Sequence, residues 1–182
     1  MAVRIPMVRH VLPTRDGHPN SRTGLPVVST TEQPVVMVQV GESGWTAHAL
    51  HAACRWARAR HAAVAIVVMV PVQHLSWLGS EVGTTAPTEA DMDRLEDCLA
   101  TVEDYGLEAE VVRFQYTTWL EGTLQAAEYA EASVVYAEAP TATWPTWRRV
   151  LAWSMRRQLN RQGRVWVCEP DRATLPQLPD LR

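Results

Sequence analysis

The chain has 182 residues, of which 47% are hydrophobic and 20% charged, and its formal net charge is −3. This length suits a single domain, and the balance of apolar and charged residues excludes global disorder. The charge gives no overall field that would recruit nucleic acid, and no apolar run reaches the roughly 18 residues of a membrane span. Arginines near the N-terminus leave no apolar core for a signal peptide. An odd number of widely spaced cysteines is typical of reduced thiols in a cytoplasmic protein.

Residues 1–33 are expected to form an irregular N-terminal extension. Four prolines and several turn signals interrupt this stretch, and it has too few apolar residues to offset the entropy of ordering it. A short strand near residues 7–12 is the one element that it could hold. The proline-rich residues 170–182 are expected to form a C-terminal tail, so residues 34–169 are the predicted domain.

Within the predicted domain, buried strands alternate with amphipathic helices. Strands are predicted where β-branched and aliphatic residues run together, and helices where apolar residues recur at three- and four-residue spacing. Beginning with a strand and alternating thereafter, the predicted elements are 35–40, 45–61, 63–72, 88–105, 109–116, 119–130, 133–137, 146–161 and 164–168. Thr88, followed by Asp91, is expected to cap the second helix. The alternation predicts an α/β fold with an open parallel sheet and helices on both faces.

Parallel sheets of this kind bind ligands beyond the carboxyl ends of their strands, at the point where the strand order reverses. Here the ends of the first and fourth predicted strands should wall such a crevice. The sequence therefore predicts a crevice between residues 40–44 and residues 137–143.

Three short segments carry a resemblance to a known family. The first strand runs into GESGWT (residues 41–46) and an alanine-rich helix, GLEAEV (106–111) leads into the third strand, and a helix ending near Ala127 precedes ASVVY (132–136). In this order and spacing, residues 34–169 resemble the universal stress protein family. The resemblance implies a five-stranded parallel sheet of order 3-2-1-4-5, of the adenine nucleotide alpha hydrolase-like type. It also implies a homodimer formed through the last strand, at Val165, Trp166 and Val167.

In ATP-binding members of that family, an Asp at the end of strand one contacts the nucleotide. A Gly-x-x-Gly loop after strand four and a later Gly-Ser pair hold the phosphates, because glycines let backbone N–H groups approach phosphate oxygens closely. This sequence has Gly41 at the place of the Asp and no glycine in residues 137–145. Trp153 and Ser154 stand where the Gly-Ser pair would fall, and Trp153 is expected to fill the volume of the phosphates.

The resemblance therefore implies a crevice that has lost its nucleotide-binding groups. Pro140 and Pro145 each lack an N–H donor, and Glu138 places negative charge near the expected phosphate position. The candidate crevice residues are Gly41, Glu42, Ser43, Glu138, Ala139 and Ser154. These features predict a non-catalytic, dimeric stress-response or regulatory interaction module without a cofactor. The alternative is a stress protein that binds ATP or AMP through a divergent phosphate loop.

Other candidate sites have plainer interpretations. His48, His51 and Cys54 are spaced three apart and could hold a metal, but no further ligand is evident, so a helix face without metal is favoured. Glu42 and Glu138 could act as paired carboxylates in acid–base chemistry or bind Mg²⁺, although solvated loop acids are favoured. No nucleophile–base pair stands out, so no enzyme is predicted.

Opposite charges are concentrated in two predicted helices. Residues 144–164 contain six arginines and no acid, whereas the helix 88–105 carries seven acids and only Arg94 as a base. Two solvated helix faces are the favoured interpretation, and contact between subunits or with a protein partner is the alternative. Nucleic acid is not the expected partner. The tryptophans expected to pack between helices and sheet are Trp45, Trp56, Trp119 and Trp153, and those expected beside the crevice are Trp144 and Trp147.

Overall fold

The computed structural model describes residues 9–11, 33–72, 88–139 and 145–169. Its elements in chain order are β1 (Arg9–Val11), β2 (Val35–Gln39), α1 (Ser43–Arg60), β3 (Ala63–Pro71), α2 (Glu89–Asp104), β4 (Ala109–Tyr116), α3 (Trp119–Tyr129), β5 (Ala132–Tyr136), α4 (Pro145–Arg161) and β6 (Val165–Val167). The nine elements predicted after residue 33 are all present, with small differences at their ends. None of the helices in these described ranges is long and apolar enough to cross a membrane.

The sheet is parallel throughout, in the order β1-β4-β3-β2-β5-β6. Its last five strands follow the predicted 3-2-1-4-5 order, so the predicted fold class is confirmed. The short strand β1 is a sixth strand of the sheet and pairs with β4. It lies within residues 7–12, where the sequence analysis considered a short strand. Because the strand order reverses at β2, the carboxyl ends of β2 and β5 define the switch point of the sheet.

The sheet is buried on both faces, as the apolar sequence of its central strands predicts. Val36 and Val38 of β2 belong to a cluster formed with α1 and α2, and Met37 belongs to a second cluster formed with α3 and α4. Alternation of side chains along the strand therefore divides the core into two layers. Fully burying each of these side chains contributes about 1.5–3 kcal/mol to folding.

The second helix begins and ends where the sequence indicates. Thr88 Oγ1 accepts a hydrogen bond from the Asp91 N–H at 3.2 Å, and Asp91 Oδ2 accepts the Thr88 N–H at 2.9 Å, which completes a capping box. At the other end, Gly106 has a φ of +70°, a left-handed conformation that glycine adopts without strain. These local signals fix the length of α2.

The buried side of α4 differs from the prediction. The side chain of Trp153, expected to pack inward, is 60% exposed, and Trp147 and Val150 are 62% and 52% exposed. Met155 and Leu159 are fully buried, four residues apart on the face that meets the α3 layer. Helical periodicity alone does not say which of two apolar stripes faces the sheet, so the sequence placed Trp153 on the wrong side.

Candidate functional site

The predicted crevice lies where β2 and β5 end side by side. Val38 of β2 is in register with Tyr136 of β5, and each chain leaves the sheet within the next few residues. Gly41 follows β2 and Glu138 follows β5, so parallel pairing brings the two positions together. The described parts of the two expected crevice walls therefore meet, at the switch point of the sheet.

Both backbone polar groups of Gly41 are in use. Its N–H donates to Thr46 Oγ1 at 2.9 Å, and its carbonyl accepts a hydrogen bond from Arg94 Nη2. A Cβ at this position would lie 2.5 Å from Glu138 Oε2 and 3.5 Å from Trp45 Cε3. A side chain at position 41 would therefore require the Glu138 carboxylate to move.

Glu138 lies at the start of α1. Its Oε2 accepts the N–H of Glu42, the N-cap of α1, at 3.3 Å. The side chain of Glu42 makes no capping hydrogen bond, and the unpaired N–H groups at a helix start carry partial positive charge. Glu138 therefore supplies, from the end of β5, a carboxylate that accepts an N–H at the start of α1. Glu42 and Ser43 are both exposed, as loop residues at a sheet edge usually are.

Arg94 is a crevice residue that the sequence analysis did not identify. It is the only base of α2, and its side chain is half-buried as it reaches the carbonyl at the end of β2. Its Nε is buried and has no hydrogen-bond partner among the described residues. Hydrogen bonds from Thr88 lower the pKa of Asp91, and the Arg94 charge adds to that effect. The sequence does show Arg94 as a lone base one turn into an acidic helix. It does not show that this side chain binds the Gly41 carbonyl, which lies 53 residues away in the chain.

Two indole groups bind the backbone at the ends of the neighbouring strands. Trp45 Nε1 donates to the Cys168 carbonyl at 2.9 Å, and Trp166 Nε1 donates to the Ala137 carbonyl at 3.0 Å. Trp45 thereby connects α1 to the end of β6. Burial is the main cause that raises the pKa of the Cys168 thiol. The tryptophans close part of the edge that a ligand would approach.

Gln39 is a second residue that the sequence analysis did not identify. It ends β2 and is 5% exposed, and its Oε1 has no hydrogen-bond partner among the described residues. Being two residues after Met37, it points toward the α3 and α4 layer. A buried, unpaired amide oxygen is costly, so a donor from a ligand would be accepted there with a gain in free energy.

The remaining candidates do not all meet at the crevice. Ala139 follows Glu138 and is half-buried, whereas Ser154 lies on α4, where its Oγ accepts a hydrogen bond from Gln158 Nε2 at 3.1 Å. Pro140 and Trp144 lie outside the described residues. The exposed side chain of Trp153 does not fill a phosphate volume, which corrects that expectation.

The histidines of α1 have other partners than a metal ion. His51 Nδ1 is hydrogen-bonded to the Tyr105 hydroxyl at 3.2 Å, and burial raises the pKa of Cys54 to about 11. Within the described ranges, no group of three or more histidine, cysteine or acidic side chains is arranged to hold a metal ion. All three cysteines are free thiols.

Solved structures of universal stress proteins share this fold. One from Burkholderia pseudomallei matches with a TM-score of 0.53 and 20% identity, over 75% of this chain and 95% of that one. One in complex with cAMP matches with a TM-score of 0.51 and 12% identity, over 74% of this chain and 94% of that one. One from Archaeoglobus fulgidus matches with a TM-score of 0.50 and 15% identity, over 75% of this chain and 92% of that one. Neither a family model nor a curated protein matches the sequence.

Proposed function

Because this chain has the universal stress protein fold, we propose that it is a non-catalytic stress-response or regulatory module that acts without conventional ATP binding. The position of Glu138 is the main support. Its carboxylate occupies the space beside Gly41, where the family resemblance implies an Asp in ATP-binding members, and it accepts the Glu42 N–H. An amide that already binds a carboxylate is not free for a phosphate, and the fixed negative charge repels one.

The backbone around the crevice supports the same proposal. Both polar groups of Gly41 are hydrogen-bonded within the protein. Residues 137–145 contain no glycine, and two of them are prolines without an N–H donor. A phosphate cradle needs several free N–H groups that converge on one point, and these features reduce their number. We therefore propose that the protein uses no nucleotide cofactor and catalyses no reaction.

We further propose that the protein forms a homodimer through β6. This strand lies at an edge of the sheet and has a strand partner only on its β5 side among the described residues. The side chains of Trp166 and Val167 are each 7% exposed, so the pairing would use backbone groups more than side chains. Unpaired edge strands are prone to unwanted association, and pairing with a second copy removes that edge. The free thiols support the proposed cytoplasmic location.

A second candidate is nucleotide binding at residues 41–43 and 137–143 through a divergent loop. The unpaired Oε1 of buried Gln39 favours it, because that oxygen could accept a hydrogen bond from a ligand amino group. One structure that shares the fold contains cAMP. This candidate requires the Glu138 carboxylate to move away when the ligand binds.

Isothermal titration of the full chain with ATP and Mg²⁺, and separately with AMP, distinguishes the two candidates. We expect no binding in the micromolar range for the wild type. Glu138→Gln keeps the side-chain volume and removes the charge, and Glu108→Gln at an exposed position is its matched control. Micromolar binding of ATP or AMP by the wild type would overturn the leading proposal. Binding that appears only in Glu138→Gln would identify the carboxylate as the obstacle.

A further inference from the structure

The outer side of α4 carries both exposed aromatic surface and a cluster of arginines. Trp147, Val150 and Trp153 are 62%, 52% and 60% exposed, and the guanidinium of Arg157 lies 5.0 Å from the Trp153 ring centroid. Tryptophan and arginine are the residues most enriched among the strong contacts of protein interfaces. We call this surface the α4 patch; its exposed bases are Arg149, Arg156, Arg157 and Arg161.

The outer side of α2 has the opposite charge. Its one base, Arg94, reaches the Gly41 carbonyl, and its single positive charge is outnumbered by the exposed acids of this surface. Ala100 is exposed among these acids as a small, uncharged side chain. We call this surface the α2 patch; its exposed acids are Glu89, Asp93, Glu96, Asp97, Glu103 and Asp104.

The two patches cannot meet within one copy of the chain. The buried side of α2, with Cys98 and Val102, packs in the layer that contains α1. The buried side of α4, with Met155 and Leu159, packs in the layer that contains α3. These layers lie on opposite faces of the sheet, so the outer surfaces of the two helices face away from each other. Any pairing of the patches must therefore be between two copies.

The spacing of the charges is similar on the two helices. On α4, Arg149 and Arg156 are seven residues apart on one side of the helix, which is about 10.5 Å at 1.5 Å per residue. On α2, the acidic pairs 96–97 and 103–104 are also seven residues apart. Arg149 and Arg156 can therefore each lie against an acidic pair when the helices pack side by side.

The residues between these charges also fit each other. Trp153 lies between Arg149 and Arg156, and Ala100 lies at the middle of the acidic pairs. We propose that the α4 patch of one copy docks on the α2 patch of a second copy, with Trp153 packed over Ala100 between two sets of opposite charges. A large ring over a small side chain buries apolar surface without displacing the flanking charges.

This contact joins two different surfaces, so it is head-to-tail. It can add copies to form a ring or a longer assembly, unlike the symmetric β6 dimer, and it does not depend on that dimer. One helix against another buries less than the roughly 1,200 Å² of a stable interface, so the association is weak. Its exposed charges make it sensitive to salt, because the screening length is about 10 Å at 0.1 M ionic strength.

Sedimentation velocity of the full chain, over a concentration series at low and at high salt, tests the proposal. We expect the wild type to form larger species at low salt that dissociate at high salt. The double variants R156E/R157E and E103R/D104R should each lose this salt-sensitive step. An equimolar mixture of the two should regain it, because the unaltered α4 patch of one variant can meet the unaltered α2 patch of the other.

Control variants distinguish this contact from nonspecific charge attraction and from the β6 dimer. R55E/R58E reverses two exposed arginines of α1 and should leave the association unchanged, and circular dichroism checks that each variant is folded. Loss of the β6 dimer would change only the species that remains at high salt. A wild type with no salt-sensitive association, or one that survives both charge reversals, would overturn the proposal. Binding of an RNA or DNA oligonucleotide that R156E/R157E abolishes, without self-association, would also overturn it and assign the α4 patch to nucleic acid.

Discussion

The carboxylate of Glu138 lies against Gly41, with Oε2 2.5 Å from the position that a Cβ at residue 41 would occupy. The same oxygen accepts the Glu42 N–H. The absence of a side chain at position 41 thus makes room for an acid from a different strand. This relationship determines what the crevice at the end of the sheet can accept.

Gly41→Ala should destabilise the protein by about 0.5–1.5 kcal/mol, the usual net value of one hydrogen bond, because the carboxylate must leave the Glu42 N–H. Urea denaturation measures the change in the free energy of unfolding. The effect should be much smaller in a Glu138→Ala background, where nothing contacts the new Cβ from that side. Gly44→Ala is the matched control, since a Cβ there meets nothing within 4 Å. Equal losses in both backgrounds would contradict the assigned contact.

Gly122→Ala should be more damaging than Gly41→Ala. A Cβ at position 122 of α3 would collide with the Cβ of Tyr116 and lie 2.9 Å from Met69 Cε. Because Tyr116 Cβ is fixed to the backbone of β4, the helix itself must shift, and overpacking of this kind costs about 1–3 kcal/mol. Thermal and urea denaturation measure the loss. A neutral result would mean that α3 packs less closely on the sheet than described.

Met155→Ala and Trp153→Ala should differ strongly, although both truncate a large side chain of α4. Met155 is fully buried, so its truncation should cost about 2–5 kcal/mol. Trp153 is 60% exposed, so its truncation should change stability by no more than about 0.5 kcal/mol. Both are compared with the wild type by urea denaturation at low protein concentration and high salt. A reversed order of the two effects would restore the inward position that the sequence predicted for Trp153.

The Thr88 and Asp91 capping box should contribute a stability that disappears in acid. Hydrogen bonds from Thr88 lower the pKa of Asp91 in the folded state below its ordinary value. The contribution is therefore present above the ordinary pKa and is lost as the pH falls through the folded pKa. Asp91→Asn should be less stable than the wild type near neutral pH, and the difference should shrink in acid. A difference that does not change with pH would exclude the carboxylate as its source.

Thr88→Ala removes the other half of the capping box. Loss of an N-cap hydroxyl costs about 0.5–2 kcal/mol of stability. Denaturation measured at neutral pH gives the loss, and Thr101→Ala, within the same helix, is a control for removing a hydroxyl elsewhere. If both variants lose the same amount, the cap has no special role at the start of α2.

The sequence predicted the elements well because their signals are local. Runs such as residues 35–40 have the composition of buried strands, and Thr88 and Gly106 carry the chemistry of a helix start and a helix end. The inward position predicted for Trp153 of α4 was wrong, since its side chain is exposed. Two apolar stripes on one helix compete, and only the neighbouring layer of the core decides between them.

The sequence by itself determined the alternation of strands and helices, and with it the parallel sheet and the edge where a ligand would bind. Tertiary structure alone decided which groups touch at that edge. Glu138 and Arg94 reach Gly41 from 97 and 53 residues away in the chain, and Gln39 ends its strand with an unpaired buried oxygen. Parallel pairing places the carboxyl ends of distant strands side by side, and no local pattern specifies which side chains then touch.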